Sequence, residues 1–189
     1  MAQLTRSRRA SAVVVFVIAL ALRAVFASEY LWAWDSVLYA RAIVDFDVAS
    51  GRPHPPGYLF YILLARAATL FTGEANAGLV LVSMIAGAAT CAAGFLIGAR
   101  IFGAAVGVLA AAILIADPLL WHYSEVAYPY TALALLSGSV GALLWRSVRR
   151  RRSRQSRHSR RSRSRKRRTR RTRSSLRTRL LSSARCGRK

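Results

Sequence analysis

Residues 77–99 read AGLVLVSMIAGAATCAAGFLIGA, an uninterrupted run without a single charged side chain. A helix needs about 20 mostly apolar residues to cross the roughly 30 Å of hydrocarbon in a bilayer. Glu74 and Arg100 lie just beyond the two ends of the run, and its many Gly and Ala residues suit close contact between helices in lipid. The run therefore predicts a transmembrane helix in an all-α integral membrane protein.

Three further apolar runs of similar length lie on both sides of this one. Residues 10–28 contain one charged side chain, Arg23; residues 102–121 contain only Asp117, near their end; and residues 126–145 contain none. Helices that are apolar on every side are typical of membrane spans. We predict four transmembrane helices, at about 10–28, 77–99, 102–121 and 126–145.

Charge is segregated along the chain. Of the 30 Lys and Arg residues, 22 follow Trp145, and no Asp or Glu follows Glu125. The first 145 residues carry only 8 basic and 7 acidic side chains. The sequence predicts a cytoplasmic basic leader at 1–9, a near-neutral transmembrane region at 10–146 and a polybasic tail at 147–189. The tail is mostly Arg, Ser and Thr, a composition that cannot bury enough apolar surface to fold, so we expect it to be disordered.

The apolar segment 56–72 decides the topology, because it is short for a span and carries Arg66 in its middle. Lys and Arg near spans are retained on the cytoplasmic side. If the segment lies at the interface or re-enters it, the leader, the turn at Arg100 and the tail are all cytoplasmic. If it crosses, the tail has to be exported. We predict four spans in the plasma membrane, with both termini cytoplasmic. A cleaved signal peptide at 10–28 is the alternative for the first span, and the loop after it is outside in either case.

The predicted outer loop, residues 28–76, contains most of the polar features. Asp35 follows Trp32-Ala33-Trp34, aromatic residues of the kind that lie at the headgroup level. Residues 36–44 predict a short interfacial helix. Its expected apolar side consists of Val37, Leu38, Ala40, Ile43 and Val44. The turn His54-Pro55-Pro56-Gly57-Tyr58 comes next, and its prolines prevent a helix before the segment 56–72 continues.

This order of features resembles the GT-C glycosyltransferases, most closely the protein-mannosyltransferase-like and lipid-A-aminoarabinose-transferase-like branches. Residues 98–103, GARIFG, and residues 117–130, DPLLWHYSEVAYPY, are similar to the next turn and the next outer loop of that family. The resemblance covers about residues 10–146. It implies transfer of a sugar from a polyprenyl-phosphate donor to an acceptor hydroxyl on the outer face of the membrane.

The resemblance implies that Asp35 is the catalytic base. A carboxylate within hydrogen-bond reach of the acceptor hydroxyl accepts its proton as the bond to the anomeric carbon forms. Arg41 and Arg52 are expected either to bind the donor phosphate, since a guanidinium fork matches phosphate oxygens, or to pair with local acids and headgroups. The other expected substrate contacts are Tyr39, His54 and Glu125. In the second outer loop the chain departs from the family, because Tyr128 stands where an Arg often follows the acid.

The tail leaves two interpretations open. A genuine polybasic tail would attract anionic lipid, at about 1 kcal/mol per charge near the surface, and nucleic acid without specificity. It has no stacking aromatic residues and no folded nucleic-acid module, so no specific nucleic-acid partner is expected. Alternatively, the tail is an out-of-frame read-through, because the resemblance stops at Trp145-Arg146, where the Arg-rich text begins. The competing function is thus a non-catalytic membrane-anchored protein whose tail binds lipid or nucleic acid.

Cysteine spacing predicts neither a disulfide framework nor a metal site, since Cys91 lies in an apolar run and Cys186 in the tail. The chain also has no glycine-rich nucleotide loop. The expected partners are therefore the lipid-linked sugar donor, membrane lipids and an acceptor that the sequence does not identify. The sequence likewise does not show whether a divalent metal is needed as a cofactor.

Overall fold

The structure, a computed structural model, describes residues 2–149, with side chains from Ser7 onward. Within that range the chain forms seven α-helices and one isolated β-bridge, between Asp47 and Arg52. The helices are α1 Ala2–Ala24, α2 Trp34–Val44, α3 Leu59–Thr72, α4 Ala75–Ile101, α5 Ala104–Ala116, α6 Pro118–Glu125 and α7 Tyr130–Arg149. Residues up to Ala142 form one compact unit, which contains the contacts described below. The all-α fold class is confirmed, whereas the tail lies outside the described residues from 150 onward.

Helix α4 is the centre of this unit, because α1, α3, α5 and α6 all pack on it. Small residues allow the closest approach, between α4 and α5. A Cβ at Gly98 would lie 3.0 Å from the Gly107 Cα, and a Cβ at Gly107 would lie 2.7 Å from the Phe95 carbonyl oxygen. The two backbones therefore touch near the turn that joins them, as the small residues of the sequence predict.

The helices are compatible with a helical membrane protein. By length and apolar composition, α4 and α7 are able to cross a membrane, and α5 with α6 makes a third span if the bent pair counts as one. Helix α4 extends two residues beyond each end of the predicted span 77–99. Helix α1, which carries Arg8, Arg9 and Arg23, is not among these helices. The count of four spans stays a prediction.

The predicted span 102–121 is not one straight helix. It breaks at Asp117, and α5 and α6 meet there at 58°. The Asp117 carboxylate accepts a hydrogen bond from the Leu120 amide at 2.6 Å, and Pro118 occupies the first turn of α6. An Asp N-cap followed by Pro favours a new helix start, so the break has a local cause. The last helix likewise begins at Tyr130 and not at the predicted residue 126, directly after Pro129.

The ambiguous segment 56–72 forms α3, which begins at Leu59. Its 14 residues are about 21 Å long, short of the roughly 30 Å hydrocarbon thickness. The helix packs along α4, and Arg66 reaches the end of α2, where its Nε donates to the Ile43 carbonyl at 2.7 Å. A guanidinium at a helix C-terminus satisfies unpaired carbonyls and complements the helix dipole. Arg66 therefore links α3 to the C-terminal end of α2 by hydrogen bonding.

The side of α2 that packs against the protein is not the apolar side predicted to lie on the membrane interface. Ser36, Tyr39, Ala42 and Ile43 are buried, whereas Val44 is 85 % exposed. Only Ile43 belongs to both sets, and the position of the apolar side at the interface stays a prediction. Tertiary contacts bury the other side: the Ser36 hydroxyl donates to the Ala127 carbonyl at 3.1 Å, and Tyr39 packs among other aromatic rings. Protein packing, and not apolar periodicity, sets the rotation of this short helix.

Hydrogen bonds bring both predicted outer loops to the same end of the bundle. The Ser28 amide, just after α1, donates to the Glu125 carbonyl at 2.8 Å, and the Asn76 side chain at the start of α4 donates to the Ser28 carbonyl at 2.9 Å. The Ser36 to Ala127 bond joins α2 to the second loop. The end of α1, the start of α4 and the end of α6 therefore meet in one place.

Candidate functional site

Asp35 and His54 lie together at this end of the bundle. Asp35 is in the first turn of α2, and its Oδ1 is 3.9 Å from Nδ1 of His54. The two side chains are 37 % and 34 % exposed, so both are accessible from outside the protein. The structure thus brings together two of the predicted site residues, a carboxylate and an imidazole, at a distance slightly beyond a direct hydrogen bond.

The turn that carries His54 has a glycine for a local reason. The Gly57 amide donates to the His54 carbonyl at 3.0 Å, and Gly57 has φ +88°. Such a φ is costly for any residue with a Cβ, and a Cβ here would also lie 2.9 Å from a Val48 methyl. Gly57 therefore lets the turn close against residues 46–48 and hold His54 toward Asp35.

Tyr39 is the centre of an aromatic cluster beside Asp35. Its ring centroid lies 5.6 Å from that of His54, 5.7 Å from Tyr58, 5.9 Å from Tyr61 and 6.2 Å from Tyr128. The rings of the three tyrosines meet it nearly edge-on, the favourable arrangement for aromatic pairs. These rings come from α2, the His54 turn, α3 and the second loop, so the cluster links every segment of the site.

The aromatic cluster continues outward through the second loop and α6. The rings of Tyr128 and Tyr130 are stacked, with centroids 5.4 Å apart and an interplanar angle of 13°, and Tyr123 packs edge-on against both. Tyr128 and Tyr130 are partly exposed, in contrast to Tyr39. Sequence reasoning assigned Tyr39 to the site but not the tyrosines of the second loop. The cluster was missed because it assembles residues that are up to 91 positions apart, and no local pattern indicates it.

The Tyr39 hydroxyl is buried and has no hydrogen-bond partner among the described residues. Burial raises the pKa of Tyr39 well above its usual value, and the neighbouring Tyr58 and Asp35 add to the shift. Burial, followed by the charge of Asp35, also raises the pKa of Tyr128. Both phenols are therefore neutral at physiological pH and keep their protons as hydrogen-bond donors beside the Asp35 carboxylate.

Arg52 is engaged by local acids. Its Nη1 lies 2.7 Å from Asp45 Oδ2, and its Nη2 lies 3.7 Å from Asp47 Oδ2. The Ser50 hydroxyl, which donates to Asp47, is the main cause that lowers the pKa of Asp47, and Arg52 contributes as well. Of the two interpretations for Arg52, this geometry favours local pairing. Arg41 is exposed, and no ion pair within residues 7–149 involves it.

Glu125 lies near Arg23, the one charged side chain of the first predicted span, but forms no ion pair with it within 4 Å. Its charge acts on Arg23, and the Trp121 indole lies beside both. Arg23 is fully buried, and its Nη2 donates to the Cys91 sulfur at 3.6 Å. Glu125 Oε1 is thus buried next to the helix bundle, although the residue as a whole is partly exposed. An Arg within an otherwise apolar run is the sequence signal that points to such a buried site.

An apolar groove of about 770 Å³ adjoins the aromatic cluster. It lies between α3, α4 and α7, and nearly all of its wall is carbon. Tyr58 and Tyr61 line the groove and also contact the Tyr39 ring, so these two tyrosines separate one end of the groove from the side of Asp35 and His54. Cavities of 300–1,000 Å³ with a few polar groups at one end are typical of small-molecule sites.

Within residues 2–149, no three His, Cys, Asp or Glu side chains lie close enough together to hold a metal ion. No protein-family model, no curated protein and no solved structure matches this chain.

Proposed function

We propose that this chain is a membrane glycosyltransferase, or the N-terminal part of one, which transfers a sugar from a polyprenyl-phosphate donor to an acceptor hydroxyl on the outer face of the plasma membrane. The observation that carries the proposal is the position of Asp35: an accessible carboxylate beside His54, at the mouth of an aromatic cluster and next to an apolar groove. In the proposed topology α1, α4, the α5–α6 pair and α7 cross the membrane, and both termini are cytoplasmic.

In this mechanism Asp35 is the general base. The acceptor hydroxyl gives its proton to the Asp35 carboxylate while its oxygen bonds to the anomeric carbon of the sugar. The bond between that carbon and the phosphate oxygen breaks, and the polyprenyl phosphate leaves with the electron pair. The single displacement inverts the configuration of the sugar. His54, 3.9 Å from Asp35, is placed to orient the carboxylate or to donate to a substrate oxygen.

The tyrosines of the cluster would hold the sugar. Tyr58, Tyr128 and Tyr130 offer partly exposed ring faces, against which the C–H groups of a pyranose can pack. The Tyr39 hydroxyl keeps its proton at physiological pH but is buried, so it would reach the sugar only when the neighbouring rings move aside. Hydroxyl-rich ligands are commonly held by such a combination of apolar faces and few polar groups.

The groove between α3, α4 and α7 supplies a place for the donor's isoprenoid chain. Its wall is apolar throughout, and Tyr58 and Tyr61 separate it from the Asp35 side. A chain lying in the groove would bring its phosphate to the level of the tyrosines. Arg41 is the cationic candidate for that phosphate and His54 a hydrogen-bonding one, whereas Arg52 would first have to leave Asp45 and Asp47.

A direct test uses inverted and right-side-out membrane vesicles that contain the chain. Polyprenyl phosphates carrying labelled mannose, glucose or a pentose are supplied with a membrane-impermeant alcohol acceptor. The proposal expects labelled product in right-side-out vesicles, at a rate well above that of vesicles without the chain. No product from any donor in either orientation would contradict sugar transfer by this chain alone and leave an inactive N-terminal part of an enzyme or the non-catalytic, lipid-binding alternative.

A further inference from the structure

Arg23 is the most unusual residue of the bundle, because a guanidinium is 0 % exposed among helices that are otherwise apolar. Its Nη1 donates to the Ala19 carbonyl at 3.0 Å, one turn earlier in α1, and its Cζ lies 5.6 Å from the centroid of the Trp121 ring. Its Nε is buried without a hydrogen-bond partner among the described residues. Burying a charge is expensive unless a partner compensates it, so a buried ionisable residue among apolar helices indicates a specific task.

Glu125 is the acid that faces this charge. Its Oε1 is also buried and without a hydrogen-bond partner in residues 7–149, although the residue as a whole is partly exposed. No ion pair within 4 Å joins the two side chains. The Arg23 charge and the Trp121 indole still act on the Glu125 carboxyl, because charges near a protein interior are screened less than in water.

The backbone of Glu125 has a second connection to the same region. Its carbonyl accepts the Ser28 amide at 2.8 Å, and two residues later the Ala127 carbonyl accepts the Ser36 hydroxyl. Tyr128 follows and meets the Tyr39 ring. Glu125 is therefore the point at which the second loop, residues 125–129, is attached to α1 and then to α2.

We propose that Arg23 and Glu125 are positioning residues, a charge couple between α1 and α6 with a buried guanidinium and a partly buried carboxylate, which holds the loop 125–129 against α2 and so keeps Tyr128 in the aromatic cluster. This assigns Glu125 to the scaffold of the site rather than to the substrate. Gly87 fits the same arrangement, since a Cβ there would clash with Ser124 and approach the Arg23 Nε. That the two residues hold the loop 125–129 does not depend on the proposed function. Only the expected effect on sugar transfer rests on it.

The test compares Arg23→Met, Glu125→Gln and the double variant with the wild-type chain in nanodiscs, by hydrogen exchange resolved to peptides. Each single variant leaves a buried charge without its counterpart, so we expect exchange in residues 25–34 and 124–130 to rise by about tenfold or more. The double variant removes both charges and is expected to return to within about threefold of wild type. Exchange in residues 79–95 of α4 should stay unchanged in all three.

Exposed charges provide the matched controls, Glu29→Gln and Arg100→Met, and neither should alter exchange in the two loop peptides. Unchanged loop exchange in both single variants would overturn the proposal. An equal rise of exchange in α4 would also overturn it, because Arg23 and Glu125 would then stabilise the whole fold and not the loop in particular. Where the wild-type chain transfers sugar, the single variants should lower kcat and leave the donor KM within about twofold, because the groove is untouched. An inactive wild-type chain would refute the proposed function and leave the exchange result intact.

Discussion

Asp35 and Tyr39 lie one turn apart on α2 and have opposite environments. Asp35 is 37 % exposed and faces His54, whereas Tyr39 is fully buried beneath four aromatic rings. The two side chains therefore have different chemical roles. An exposed carboxylate is able to take a proton from a substrate hydroxyl, and a buried phenol keeps its own proton and can only donate a hydrogen bond.

The buried phenol predicts a pH effect with a definite sign. Burial raises the pKa of Tyr39 above the usual 10.0, so the folded protein holds this proton where the unfolded chain loses it. The contribution to stability is complete below pH 10.0 and is lost as the pH rises beyond that value. Wild-type stability should therefore fall above that pH more steeply than that of Tyr39→Phe. Thermal unfolding across the alkaline range checks this, with Tyr30→Phe, an exposed tyrosine, as the control; equal slopes for wild type and Tyr39→Phe would contradict it.

At the residue scale, the sequence predicts the site residues that belong to a recognisable local motif. It misses those that only the folded structure brings together. Asp35 and His54 stand out beside the tryptophans and the Pro-Pro-Gly turn, and they are close in space. The pairing of Arg52 with Asp45 and Asp47 is also local, and it was one of two interpretations kept open. The stack of Tyr128 and Tyr130 over α2 depends on a contact across 91 residues, between Ser36 and Ala127, which no local pattern specifies.

At the element scale, the attachment of α3 to α2 through Arg66 predicts a measurable loss. Arg66→Met removes two hydrogen bonds to the carbonyls of Ala42 and Ile43 and the charge that complements the α2 dipole. We expect the free energy of unfolding to fall by about 1 to 2 kcal/mol. Arg41→Met, on the exposed side of α2, should change it by less than about 0.5 kcal/mol. Chemical unfolding in micelles measures both, and equal effects of the two variants would argue against the capping role.

Helix contact between α4 and α5 predicts a second asymmetry, between two glycines. A Cβ at Gly107 would meet the backbone of Phe95 and Ala99, which cannot move aside, whereas a Cβ at Gly138 meets nothing within 4 Å. Gly107→Ala should destabilise the fold by about 1 to 3 kcal/mol. Gly138→Ala should be neutral or stabilising by up to about 1 kcal/mol, through helix propensity. The free energies of unfolding of the two variants, measured side by side, test this prediction. A Gly107→Ala variant as stable as wild type would mean that α4 and α5 are further apart than the structure shows.

The helices differ in how well the sequence predicts them, for physical reasons. Helix α4 matches its apolar run to within two residues, because no breaker interrupts that run. The break at Asp117-Pro118 was visible in the sequence but was outweighed by the surrounding apolar residues. The rotation of α2 was not predictable, since Ser36 and Tyr39 are buried by contacts with segments far along the chain.

For the whole molecule, the meeting of both loops at one end of the bundle predicts a topology. If α3 does not cross the membrane, residue 49 in the first loop and residue 104 at the start of α5 lie on opposite sides of it. Ala49→Cys should react with an impermeant maleimide on intact cells, and Ala104→Cys only after permeabilisation, in a chain whose Cys186 is replaced by Ser. Both side chains are exposed in the fold, and Cys91 is buried. Labelling of both variants on intact cells would mean that α3 crosses.

The central claim, that Asp35 is the base for sugar transfer, is tested most directly by Asp35→Asn in the vesicle assay. The amide keeps the size of the side chain but cannot accept the proton, so transfer should fall by about 10² to 10⁴-fold. Expression and thermal unfolding should match wild type, and Glu29→Gln, an exposed acid in the same loop, should leave the rate unchanged. Transfer by Asp35→Asn within about threefold of wild type would contradict the account and require another base.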